Sequence, residues 1–114
     1  MTGEKQVFLT KNESGGTVEN QFRHWETVYC HFKVDPGRPE KTVKFQWINP
    51  AGQKELVYVH VVDKTRKDAY FTVSWLSLDV PLLGDLVGSK YLGKWRVIIS
   101  LNEKQVAEES FEVY

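Results

Sequence analysis

The chain has 114 residues and carries fifteen basic against fifteen acidic side chains, a formal net charge of zero. That length supports one domain spanning 1–114, with no room for two independent cores. With 41% apolar and 26% charged residues, the composition excludes a disordered tail and a collagen-like chain. The absence of a basic excess argues against a dedicated nucleic-acid binder.

No run approaches the roughly 20 apolar residues that a membrane-spanning helix needs. Met1 to Gln6 shows no basic stretch leading into an apolar one, so no signal peptide is expected. Two readings of the start stay open: the native start of a cytoplasmic protein, or a mature or excised domain carrying a start methionine. One cysteine, Cys30, allows no internal disulfide.

Valine occurs fifteen times against three alanines and three isoleucines, and Phe, Tyr and Trp add fifteen more. Such residues pack well on pleated surfaces. The first strand is expected over Gln6 to Thr10, followed by a loop at Asn12 to Gly16. Val18 to Trp25 reads as irregular chain or a short edge piece. Thr27 to Val34 alternates, with Val28, Cys30, Phe32 and Val34 inward and Thr27, Tyr29, His31 and Lys33 outward. Asp35-Pro36-Gly37-Arg38-Pro39 stops it. Thr42 to Trp47 repeats the pattern with Val43, Phe45 and Trp47 inward, and Asn49-Pro50-Ala51-Gly52 is a turn.

Lys54 to Val62 is a valine-rich strand whose inward face is ambiguous. Asp63 to Asp68 is a charged turn in which Lys64, Arg66 and Lys67 are balanced by two aspartates, a solvated tip rather than a phosphate patch. Tyr70 to Leu78 places Phe71, Val73 and Trp75 on one side and Tyr70, Thr72 and Ser74 on the other. Leu76 and Leu78 fall on that second side, so the period slips or the strand ends there. Lys94 to Leu101 has Trp95, Val97 and Ile99 as one face. Asn102-Glu103 begins a turn, and Gln105 to Tyr114 returns with Val106, Phe111 and Val113 to complete an antiparallel hairpin. About seven strands result. An all-β antiparallel two-sheet sandwich buries one face of each sheet; a small closed barrel is the alternative.

The stretch Gly93-Lys94-Trp95-Arg96-Val97-Ile98-Ile99-Ser100-Leu101-Asn102, closing with Phe111-Glu112-Val113, resembles the last hairpin of bacterial immunoglobulin-like domains. Thr27 to Val34, Thr42 to Trp47 and the Asn49 to Gly52 turn resemble their second and third strands. The resemblance covers about a third of the chain and implies an Ig-like sandwich. Such domains serve as adhesin segments, enzyme accessory modules, chaperone-like subunits and assembly subunits, mostly outside the cytoplasm, so an extracytoplasmic location is expected. Trp47 and Trp95 are expected on opposite sheets, filling the centre with roughly 150–250 Å² of burial each. The paired cysteines of antibody-type domains are missing, and Cys30 reads as a small apolar plug.

Catalytic patterns are lacking. His24, His31 and His60 have no metal-ligand spacing and read as surface histidines, so no metal or other cofactor is expected. Strand alternation points Cys30 into the core, where a thiol is inert. No Gly-x-Ser-x-Gly occurs, and the two glycines at 15 and 16 precede no helix. The reading is a non-catalytic protein-interaction or structural module with a protein partner or a second copy, and no nucleic acid or membrane span. Its rival is a carbohydrate-binding module stacking sugars on Trp25, Tyr29, Tyr58 and Tyr70. A flat row of these aromatics would favour sugar; scattered aromatics with one apolar patch would favour a protein.

The connection from Leu76 to Leu92 is rich in leucine yet broken by Pro81, Gly84 and Gly88, and within it Val80 to Gly88 is the one place where a short helix fits. Either its leucines close the open end of the sandwich, or Leu82, Leu83 and Leu86 stay exposed as a docking patch.

Overall fold

The computed structural model describes residues 7–35, 41–63, 65–77 and 92–114. In chain order they form β1 (Val7–Thr10), β2 (Gln21–Phe22), β3 (Thr27–Val34), β4 (Thr42–Ile48), β5 (Lys54–Val61), β6 (Tyr70–Ser77), β7 (Gly93–Leu101) and β8 (Lys104–Val113). One sheet has the order β1-β3-β6, the other β2-β8-β7-β4-β5. These are the two layers of an open sandwich rather than a closed barrel. No helix occurs among the described residues. The connection holding Leu82, Leu83 and Leu86 lies almost wholly outside them.

The eighth strand, beyond the seven expected, is β2. This two-residue edge piece runs parallel to β8, pairing Gln21 with Glu112 and Phe22 with Val113. All other pairs are antiparallel. The alternation read in β3 and β4 holds: Val28, Cys30, Phe32, Val34, Val43, Phe45 and Trp47 are all buried.

Two core assignments differ from expectation. Trp47 and Trp95 do not face each other across the sandwich; both lie in the five-stranded sheet. The strand order sets β4 beside β7, so the inward residues of both strands belong to one layer, and sequence separation does not encode that neighbourhood. Phe111 of β8 joins them. The Trp95 ring stacks on it at 6.0 Å, Trp47 meets it edge-on at 6.0 Å, and Phe22 meets it edge-on at 5.5 Å.

The period of β6 does not slip at Leu76. Its pairing with β3 runs unbroken from Tyr70↔Val34 to Ser77↔Thr27. Its core side is the more polar one, Tyr70, Thr72, Ser74 and Leu76, and Phe71, Val73 and Trp75 face outward. Small Thr72 and Ser74 leave room for the large side chains of the facing sheet. The Ser74 hydroxyl accepts the Trp47 indole N–H at 3.0 Å, so neither buried polar group is orphaned.

Side chains fix the turns. The Asn49 Oδ1 accepts the N–H groups of Ala51 (2.9 Å) and Gln53 (3.0 Å), and its Nδ2 donates to Glu55 Oε2 at 2.6 Å. Gly52 takes the positive φ of 86° that this turn requires. Between β7 and β8, Asn102 (φ 51°) and Glu103 (φ 70°) both sit in the left-handed region, as a two-residue hairpin of type I′ demands. Asn102 also ties the hairpin to β4. Its N–H donates to the Thr42 carbonyl, and its Oδ1 accepts the Thr42 N–H, both at 2.9 Å.

Candidate functional site

The two sheets end on one side of the sandwich in β5 and β6, each eight residues long. On the other side the edges are short among the described residues: β1 has four residues and β2 two. Short edges resist strand addition, and long ones invite it.

β5 is the more exposed of the long edges. Leu56, Tyr58 and His60 lie opposite Trp47, Phe45 and Val43, on the core side of the sheet; Val57, Val59 and Val61 lie opposite Gln46, Lys44 and Thr42, on the outer side. Among the described residues the three-stranded layer does not cover β5, and both faces of the strand are exposed. Val59 is 52% and Val61 54% exposed, and Leu56, Val57 and Tyr58 are exposed with them. Glu55 is an extra residue where the register with β4 shifts, so the regular stretch begins at Leu56. The Val62 N–H donates to the Lys41 carbonyl. By the alternation of an antiparallel ladder, Leu56, Tyr58 and His60 then bond to β4, while the backbone groups of Val57, Val59 and Val61 point to the free edge.

One end of the gap between β5 and β6 is clamped. The Tyr70 hydroxyl lies 2.8 Å from His60 Nε2 and accepts the Asp63 N–H at 3.0 Å, and the Arg66 guanidinium sits 4.2 Å over the Tyr70 ring. The Thr65 hydroxyl and N–H both donate to Asp63 Oδ1, holding that carboxyl below its ordinary value. At the other end the layers part around a notch of about 250 Å³ lined by Leu56, Val57, Tyr58, Ser74 and Trp75. Trp75 is 52% exposed.

From Trp75 the apolar surface continues over the outer face of the three-stranded sheet. Tyr29 lies 6.4 Å from Trp75; Phe8 stacks on His31 at 4.8 Å and meets Phe71 edge-on at 5.3 Å. His31 is therefore buried, not the surface histidine expected from its outward register. Its Nε2 lies 2.8 Å from Thr10 Oγ1. The Thr10 hydroxyl donates to the Asn12 carbonyl at 2.6 Å, so the shared proton belongs to Nε2. Burial pushes the His31 pKa below its ordinary value against a smaller opposing pull from the Asn12 backbone.

The four aromatics of the sugar reading are dispersed. Trp25, 56% exposed, stands near the Arg23 guanidinium, which lies 5.5 Å from its ring and 5.2 Å from that of Tyr114. Tyr29 is on the outer face of the three-stranded sheet, Tyr58 on the core side of β5 and Tyr70 in the clamp. They form no flat row. Leu82, Leu83 and Leu86 lie outside the described residues. Cys30 is fully buried, and burial, with the Glu109 charge adding to it, pushes its thiol far above the ordinary value.

The edge of β5 escaped sequence reasoning because its signal is ambiguous. Leu56 to Val62 is apolar on both sides of the pleat, a pattern that more often marks a strand buried on both faces.

No protein-family model matches the chain, and no curated protein matches it in sequence. Among solved structures, an immunoglobulin-like protein from Pseudomonas aeruginosa is similar over 97% of this chain and 94% of its own, with a TM-score of 0.53 and 13% sequence identity. At that identity the likeness speaks for the fold alone, and an immunoglobulin-like fold is consistent with the two-sheet topology of this chain. The chain is an all-β immunoglobulin-like sandwich.

Proposed function

We propose that this chain is a non-catalytic protein-interaction module that binds by accepting a strand on β5. One observation carries the reading. An eight-residue edge strand exposes apolar side chains on both faces, with no Lys, Arg, Asp, Glu or Pro from Leu56 to Val62. Natural edges are normally guarded by such residues, and an unguarded one is a template for pairing. The side chains suited to catalysis support the same reading. Cys30 is sealed in the core as a protonated thiol, and His31 and His60 are held by Thr10 and Tyr70.

The test is a quantitative pull-down from the source organism with the wild-type chain, the Val57→Lys/Val59→Lys variant and a Gln46→Lys control on a central strand. The reading expects proteins retained by wild type and control to be lost from the double variant. Identical capture by all three would refute it.

A further inference from the structure

We infer that the strand added to β5 is β5 of a second copy of this chain, paired antiparallel about a two-fold axis at Tyr58. This inference rests on the interaction reading above and names its partner.

A two-fold axis perpendicular to the sheet keeps each face on its own side, so odd residues meet odd and even meet even. The backbone groups of Val57, Val59 and Val61 point to the free edge, as the Val62 to Lys41 bond shows. They can therefore exchange hydrogen bonds with the same residues of another copy. Centred on Tyr58, the pairing sets Val57 against the second copy's Val59 twice, Leu56 against His60 twice, and Tyr58 against itself.

Charge selects this register. Centring one residue later would place Glu55 opposite the second copy's Asp63. Centring one residue earlier would press Lys54 against His60. With Tyr58 at the axis no like charges oppose: Lys54 falls opposite the second copy's Val62 and Glu55 opposite its Val61, and Lys54 is the diagonal neighbour of the second copy's Asp63, so opposite charges lie near each other at both ends of an apolar centre. The formal net charge of zero removes long-range repulsion between copies. The notch lined by Leu56, Tyr58 and Trp75 in each copy borders the join.

Sedimentation equilibrium and cross-linking test this. Wild type is expected to reach twice the monomer mass as concentration rises toward about 1 mM, the range that includes weak pairing. Val57→Lys/Val59→Lys should stay at monomer mass with an unchanged melting temperature, because both positions are exposed. Directly opposed strand residues lie within disulfide range. Tyr58→Cys should therefore form a disulfide-linked dimer on mild oxidation, with Cys30 too buried to interfere, while Val59→Cys and Val61→Cys should not.

A monomer throughout the range, a dimer unaffected by the two lysines, or cross-linking at Val59 in place of Tyr58 would each overturn the inference. If wild type is monomeric yet the double variant still loses its captured proteins, the interaction reading stands and self-pairing falls. If neither the mass nor the capture depends on β5, both fall.

Discussion

The indole N–H of Trp47, on β4 of the five-stranded sheet, donates to the hydroxyl of Ser74, on β6 of the three-stranded sheet, at 3.0 Å. This buried bond crosses the core between the two layers. It accounts for a serine facing inward on β6 and helps hold in place the strand that borders the open side. Ser74→Ala should leave the indole N–H without a partner and lower stability by about 1–3 kcal/mol, measured by urea unfolding. An unchanged midpoint would show that the bond contributes nothing net.

Cys30 should behave as a core methylene rather than a thiol. It is fully buried, and burial pushes its pKa far up. Thiol reagents should label the native protein only as fast as it opens, and labelling should become rapid in denaturant. Cys30→Ser should lower stability by about 1–3 kcal/mol by leaving a hydroxyl short of partners.

His31 predicts a pH dependence. Its folded pKa lies below the ordinary value of 6.5, because burial disfavours the imidazolium. Below that ordinary value the unfolded chain binds the proton more readily, so stability is complete above about pH 6.5 and declines as pH falls toward the folded pKa. Unfolding free energies at about pH 7.5 and 5.5 should differ in favour of the higher pH, and His31→Gln should flatten the difference. Glu26 contributes at lower pH. Desolvation raises its carboxyl, but the Arg23 N–H and the Lys11 ammonium outweigh that and leave the pKa lowered, so its stabilisation is lost on acidification below about pH 4.5.

Glu103 occupies a left-handed conformation at φ 70° on the exposed hairpin tip. Glycine takes that conformation without steric cost, whereas a Cβ costs roughly 1–2 kcal/mol. Glu103→Gly should therefore raise stability, by up to about 1 kcal/mol after the added chain entropy of glycine is subtracted. Thermal unfolding gives the sign directly. Asn102→Ala should do the reverse, since it keeps the positive φ and removes the acceptor for the Thr42 N–H.

Periodicity alone determined much of this protein. Alternation along Thr27 to Val34 and Thr42 to Trp47 specified strands and their buried faces, because a side-chain period of two leaves one choice when one side is apolar. The closing hairpin was legible from Asn102-Glu103 between two strand patterns, and the buried state of Cys30 followed from its neighbours Val28 and Phe32. Tertiary structure decided what depends on neighbours distant in sequence. Strand order placed Trp47 and Trp95 in the same sheet, and the pairing with β3 turned Ser74 inward and Trp75 outward. Phe8 buried His31 by stacking across strands. β5 became an exposed edge because the facing layer has three strands among the described residues. An apolar strand reads alike whether another layer covers it or not; that cover is a property of the assembled sandwich, set by residues far from Leu56–Val61 in the chain.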